Sequence, residues 1–469
     1  MTARAELPTK VLAAGLAACV LSMGILAGVA PALAIGVTLG LVLLIIAMAS
    51  LTAGICLLAF LTFLETVLPA DAQGVLSISK VVGLVLVLSW FALITAGERD
   101  QRERIFSPAG FLFVLIFFVA WAAVSAVWAE DTGAAIDSAT RYLPNAMLFL
   151  IVFAGVRTRE QFLWVVGSLV AGAVVAALYG IVAGAPAEDP ERVGIGNANE
   201  TAASLVAGGT LAAALAFALT GKPVLRLLTT IAVPLCVFAV FLTLSRGGLV
   251  ALGASLLAAV FMAGRRRGVV VSLAFAAVIA AVVYFGALAS VTARDRILEL
   301  EGGTGRTDIW TVGWRMVEDQ PLRGVGAGNF PIASIHYLLE PGALLRDDFI
   351  VDNPKVAHNT YLNVLAELGV VVLALFLAVI AFSLWCAARA LGVASQAGDR
   401  QLDVLARAMI VVLVGLLAAD FFGSRQYSKQ LWLLLSLCPA LLAISQAELA
   451  ARRGAKDAPA GRALTAPRA

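Results

Sequence analysis

Hydrophobic and polar positions along this chain separate into long blocks instead of alternating. Apolar runs near the length needed to cross ~30 Å of hydrocarbon occur at about 11–29, 33–49, 51–68, 79–96, 110–128, 142–156, 161–184, 201–220, 226–243, 247–263, 268–289, 359–386, 403–420 and 429–447. Most are apolar on every side, as membrane helices are, and lack the narrow stripe of a soluble amphipathic helix. The pattern predicts an all-α polytopic membrane protein with about fourteen transmembrane helices. About twelve remain if the first three, which are poorly separated, merge or re-enter. Arg4 and Lys10 precede an apolar stretch ending at Ala32-Leu33-Ala34, which resembles a signal-peptide cleavage site. The run from Val11 is longer than a usual signal core and another follows at once, so an uncleaved first span is expected.

The polar connections orient the bundle. With the N-terminus in the cytoplasm, the even-numbered connections read GERDQRER (97–104), VRTRE (156–160), GKPVLR (221–226), GRRR (264–267) and the stretch from Arg389 to Arg400, all basic. The odd-numbered ones, PADAQG (69–74), WAEDTGAAID (128–137), APAEDPERVGIGNANE (185–200) and the long 290–357 segment, are acidic or mixed. Cytoplasmic loops of membrane proteins carry the excess of Lys and Arg. Fourteen spans return the tail of Arg452, Arg453 and Lys456 to the cytoplasm, in agreement with its charge. The chain therefore divides into an N-terminal transmembrane bundle (1–289), a long extracytoplasmic loop (290–357), C-terminal transmembrane helices (358–449) and a disordered basic cytoplasmic tail (450–469). A bacterial inner-membrane location with the 290–357 side facing the periplasm follows from this orientation and the resemblance given below. Within the long loop, Ile309, Val312 and Met316 recur at helical spacing beside Trp310 and Trp314, before Pro321. A short helix lying along the membrane surface fits that pattern.

Composition agrees with this class. The 469 residues are 61% hydrophobic and only 13% charged, which a soluble domain could not carry on its surface, and a net charge of +3 gives no reason to expect nucleic acid as a partner. The five cysteines (Cys19, Cys56, Cys236, Cys386, Cys438) lie in or beside apolar runs without CxxC or Cys/His spacing. Neither a disulfide framework nor a zinc site is expected. No set of Asp, Glu or His has metal-ligand spacing, so no metal or other cofactor is expected either.

Against this background a few polar residues stand out, all on the extracytoplasmic side. His358, one of two histidines, and Asn359 open the apolar run HNTYLNVLAELGVVV. An imidazole there is the best candidate for proton transfer. Gly369, eleven positions on, returns to nearly the same helical face and would admit a neighbouring helix or lipid chain. An interfacial histidine above a packing glycine is the simpler reading. Ser245-Arg246-Gly247-Gly248 interrupts two apolar runs on the side where positive-inside logic does not explain an arginine. Anion binding by Arg246, with the glycines allowing close approach of a phosphate, competes with an exposed arginine on a turn. Arg306 in GRTDIW would sit at a helix start, facing a phosphate or pairing with Asp308. Arg192, Asn197, Asn199 and Glu200 form a further polar knot in ERVGIGNANE. Asp420, which ends an apolar run before FFGSRQYSK, could orient a catalytic group or simply pair with Arg425 or Lys429. His336 reads as an ordinary surface side chain. Gly324-Val-Gly326-Ala-Gly328-Asn329 reads as a turn reversing the chain after Pro321, since no strand precedes it as in a phosphate loop.

Taken in order, RVGIGNANE, TLSRGGLVAL, GRTDIWTVGWRMVEDQPLRGVGAGNF and HNTYLNVLAELGVV resemble the O-antigen ligase and O-antigen polymerase family of bacterial envelope glycosyltransferases, most strongly over about 190–447. The resemblance implies a membrane enzyme that moves a glycan from undecaprenyl pyrophosphate to an acceptor hydroxyl on a glycan or lipid-glycan, at the periplasmic face and without metal. It casts His358 as the base that activates the acceptor and Arg246 and Arg306 as partners of the donor's pyrophosphate. Arg192, Asn199, Asn359 and Asp420 would line the substrate. A repeat-unit polymerase would use the same chemistry with a different acceptor. A transporter, the more distant alternative, would place its charges near the bilayer midplane, whereas these residues gather at one face.

Overall fold

The computed structural model describes residues 50–67, 78–96, 109–183, 197–298, 306–338 and 355–457. They form fifteen helices and no strand: α1 (Leu51–Val67), α2 (Ile78–Ala96), α3 (Ala109–Val124), α4 (Thr132–Gly155), α5 (Arg159–Ala183), α6 (Ala198–Ala218), α7 (Pro223–Leu242), α8 (Arg246–Met262), α9 (Arg267–Val283), α10 (Val291–Leu298), α11 (Arg306–Asp319), α12 (Phe330–Leu338), α13 (Thr360–Gln396), α14 (Arg400–Ala419) and α15 (Lys429–Asp457). Every apolar run from 51 onward is a helix. Among the described residues seven helices are long and apolar enough to cross a membrane, and four shorter apolar ones accompany them. The chain is thus an all-α polytopic membrane protein. The runs at 11–29 and 33–49 and the Ala32-Leu33-Ala34 sequence lie outside the described residues.

Polar residues fix where these helices begin. Asp131, Asn197, Ser245, Asn359 and Asp399 each sit just before a helix with extended backbone, and each side chain accepts from a backbone N–H of the first turn. Pro223 occupies the first position of α7, where its missing N–H costs nothing. In the interior, α6 is packed on most sides, and Trp432 of α15 is fully buried among the rings of Phe118, Phe149 and Phe376.

The two ends of the bundle differ in chemistry. At one end Arg159 pairs with Asp399 and Glu448, Arg452 pairs with Asp399, Gln401 donates to the Ala218 carbonyl and Arg407 to the Met262 carbonyl. These bonds collect the basic connections, those after α4, α6, α8 and α13, on one face. Residues 450–457, expected to begin the disordered tail, instead extend α15, with Arg452 tied to Asp399 and to the Ala397 carbonyl.

At the other end lie the helix starts that carry the candidate residues, together with α11 and α12. Ile309, Val312 and Met316 face inward, as their spacing predicts, and pack with Phe330, Ala333, Ala357 and Ala366. Trp310 donates to the Ala357 carbonyl at 2.9 Å, while Trp314 is exposed. The short helix is therefore fastened to the start of α13 through one of its two tryptophans.

Candidate active site

α13 is broken at Gly369, whose φ of 80° and ψ of 176° are not helical. The reading that put Gly369 on the same helical face as His358 assumed an unbroken helix and does not hold. The break leaves backbone groups without helical partners, and the turn after α11 supplies them. Val325 N donates to Ala366 O (2.9 Å), Gly326 N to Glu367 O (2.8 Å), and Val370 N to Pro321 O (2.9 Å). Gly324, Gly326 and Gly328 all have positive φ, which the turn needs to run this close to α13. Its far side is held by the corner between α3 and α4: Trp128 donates to Gly324 O, Ser125 accepts from Ala327 N, and Asn329 exchanges bonds with Asp131 backbone. Trp121 donates to Leu368 O. The glycine run is thus a turn, as expected, and it also serves as the clamp that fixes the first segment of α13.

That segment carries His358 and Asn359. Asn359 caps α13, its side-chain oxygen accepting from Tyr361 N (3.0 Å) and Leu362 N (3.1 Å). His358, immediately before the cap, has φ 49°, a left-handed conformation uncommon for a residue other than glycine. Its surroundings fix it from both sides, because Ala357 N donates to Asn363 and Ala357 O accepts from Trp310. Leu244 repeats the arrangement, with φ 49° directly before the Ser245 cap of α8. Strained backbone of this kind persists where the surroundings over-determine it and clusters at functional sites.

Ser245 ties α8 to α6, since its hydroxyl accepts from Gly248 N at 3.0 Å and donates to Asn199 Oδ1 at 2.6 Å. Arg246 is the first residue of α8 and Arg306 the first of α11. Gly247 and Gly248 are buried, and a Cβ on them would run into Phe422 and Ala202. These glycines allow helices to meet, and do not leave room for a phosphate as the sequence suggested. Arg306 feels the charge of Arg246, and His358 feels that of Arg306. Burial and then Arg246 draw the Arg306 guanidinium below its ordinary value. Burial, followed by the charges of Arg306 and Lys355, pulls the His358 imidazole from 6.5 down to about 4. The half-buried imidazole is therefore neutral at physiological pH. The starts of α6, α8, α11 and α13 meet here, so their partial positive charges add to the two guanidinium groups. The arrangement sets positive charge beside a neutral imidazole.

Asp420 lies beneath this cup. It is 0% exposed, and Arg425, 3% exposed, approaches it at 3.4 Å. Burial pushes the Asp420 carboxyl up to about 6 against the pull of Arg425. The turn that holds the pair is sewn to the α13 start: Thr360 N donates to Asp420 O (2.8 Å), the Thr360 hydroxyl to Gly423 O (2.7 Å), and Arg425 N to the Thr360 hydroxyl (2.9 Å). Glu200 adds a third charge to this group. The structure thus brings Arg246, Arg306, His358, Asn199 and Asn359 to one end, with Asp420 below them, while Arg192 lies outside the described residues. His336 is apart, exposed and paired with Glu130 at 3.0 Å. Sequence reasoning treated Arg425 only as a bystander and missed Ser125, Trp128 and Thr360, whose roles depend on contacts between distant segments. Among the described residues no three His, Cys, Asp or Glu side chains are grouped so as to hold a metal ion.

Comparison with curated proteins gives no match. Comparison with protein families does: residues 231–377 match the family described as O-antigen ligase, a segment that runs from α7 past the break in α13 and contains Arg246, Arg306 and His358. Over this segment, about a third of the chain, the protein is similar to the O-antigen ligase family.

Proposed function

We propose that the protein is a metal-independent, inverting glycosyltransferase of the O-antigen ligase type, which moves a glycan from undecaprenyl pyrophosphate to an acceptor hydroxyl at the periplasmic face of the bacterial inner membrane. The observation that carries this reading is the meeting of a neutral imidazole with two guanidinium groups at one end of the helix bundle.

His358 takes the proton of the acceptor hydroxyl as its oxygen attacks the anomeric carbon. The bond from that carbon to the diphosphate oxygen breaks, and the electron pair leaves with undecaprenyl diphosphate. Arg246, Arg306 and the helix starts stabilise the growing negative charge, the task a divalent ion performs in many nucleotide-sugar enzymes. A single displacement inverts the anomeric carbon. In the free site burial, and after it the neighbouring cations, keep the imidazole a weak base. A bound diphosphate offsets those cations and strengthens the base, so proton abstraction is favoured once the donor is in place. Asn199 and Asn359 hold the helix starts that frame the site, and the Asp420–Arg425 pair supports them from below. The gathering of the basic connections at the opposite end supports a periplasmic site.

The test is reconstitution in liposomes with undecaprenyl-diphosphate-linked glycan, lipid-glycan or glycan acceptors, and EDTA. Wild type should transfer glycan, and His358→Ala, Arg246→Ala and Arg306→Ala should each lose roughly a hundredfold or more. Transfer at wild-type rates by all three variants refutes the proposal. Transfer to growing glycan in place of a lipid-glycan would make the protein a polymerase with the same chemistry.

A further inference from the structure

The basic end of the bundle contains a feature that positive-inside orientation alone does not require. A cavity of about 640 Å3 opens there between the α8–α9 turn and the α13–α14 turn, lined by Arg265, Arg266, Arg400 and Arg407 with Asp399 and Asp403. The carboxylates are already engaged. Asp399 caps α14 and pairs with Arg159 and Arg452, and Asp403 holds Arg407 through both oxygens, at 2.9 and 3.0 Å. The cationic wall is not neutralised to the same degree. Arg265 and Arg400 are exposed and have no carboxylate partner among the described residues, while Arg266 lies over the Phe217 ring at 5.2 Å, within reach of the Arg400 and Arg407 charges. Arg266 also feels Asp403, but that carboxylate is held by Arg407, so positive charge outweighs negative along the cavity wall.

The position of the cavity indicates which anion fits. It lies at the ends of membrane-crossing helices, where α8 turns into α9, and Leu257 and Phe261 on the last turns of α8 are 60% and 69% exposed. Exposed apolar side chains on α8 therefore come within a few residues of a mouth lined with guanidinium groups, which can fork onto phosphate oxygens. We propose that this cavity binds the phosphate of an anionic phospholipid headgroup, with Arg265, Arg266 and Arg400 as its partners and the acyl chains lying along Leu257 and Phe261. The site is separate from the His358 end and does not rest on the transfer reaction.

The experiment uses the full chain purified in a neutral detergent, with lipid binding read by native mass spectrometry during titration with cardiolipin, phosphatidylglycerol, phosphatidylcholine or inorganic phosphate. Wild type should retain the two anionic lipids in preference to phosphatidylcholine. Arg265→Gln combined with Arg400→Gln should lower that retention about twentyfold, close to fivefold for each arginine at a membrane surface. Arg226→Gln, at the same end but outside the cavity, should leave it unchanged, and equal melting temperatures show that the variants fold. Equal retention by the double variant, or no preference over phosphatidylcholine, overturns the proposal. Binding of inorganic phosphate without anionic lipid also overturns it, since the site would then serve a soluble anion.

Discussion

Replacement of Gly369 by alanine tests whether the break in α13 positions the site. At φ 80° and ψ 176° the backbone occupies a region nearly closed to residues with a Cβ, and that Cβ would land on the Leu322 carbonyl. The strain alone is about 1–3 kcal/mol. If the turn after α11 retreats to make room, the bonds from Val325, Gly326 and Val370 are lost as well, at about 1 kcal/mol each. The cost therefore runs from roughly 1 kcal/mol, if the turn holds its place, to about 6 kcal/mol, if all three bonds go, a large part of a typical folding free energy. It falls locally, on the turn and on the segment from Thr360 to Leu368 that carries His358 at its tip. Hydrogen–deuterium exchange of the purified chain should therefore show protection of residues 321–330 and 364–372 falling by roughly two orders of magnitude, about 3 kcal/mol at 1.4 kcal/mol per tenfold. Glycan transfer should fall with it. Gly392→Ala is the control: it lies in the same helix, its Cβ would meet nothing within 4 Å, and it should gain about 0.5–1 kcal/mol. Unchanged exchange in Gly369→Ala, or the same behaviour in both variants, would refute the reasoning.

The remaining predictions concern charge. With the free imidazole at about 4, kcat/KM for the donor should climb with pH through that value and then level off. A bound diphosphate offsets the Arg306 and Lys355 charges, though not the burial, so the acid limb of kcat should lie at higher pH than that of kcat/KM; a kcat limb at or below the kcat/KM limb contradicts the coupling. Asp420→Asn leaves the buried Arg425 guanidinium with Glu200 as its remaining counter-charge and should destabilise the fold by about 3 kcal/mol, the low end of the cost of breaking a buried pair, seen as a lower melting temperature. Adding Arg425→Met should recover part of the loss, and an unaltered melting temperature in the single variant would remove the pair's structural role.

Much of this architecture can be read from the sequence because a bilayer demands uninterrupted apolar helices. Each run from 51 to 447 became one, and, among the described residues, the basic connections gathered at one end as the charge pattern implied, while 97–104 lies outside them. His358, Arg246 and Arg306 could also be singled out as candidates, being polar residues where the hydrophobic pattern has no use for them. The sequence could not show that Gly369 breaks its helix, because a glycine in an apolar run looks the same whether it packs or kinks. What decides is the turn at 321–329, which approaches only in the folded chain. Asp420 could be singled out as an acid at a membrane boundary, but its burial against Arg425 depends on a turn tied to Thr360 across sixty-odd positions.

The left-handed backbone at His358 carries a consequence beyond geometry. Glycine or asparagine would sit there with less cost, so folding by itself has no preference for an imidazole at that spot. The fold accepts a small standing penalty to hold this position at the mouth of α13, so the backbone that presents the imidazole is already set when a substrate arrives.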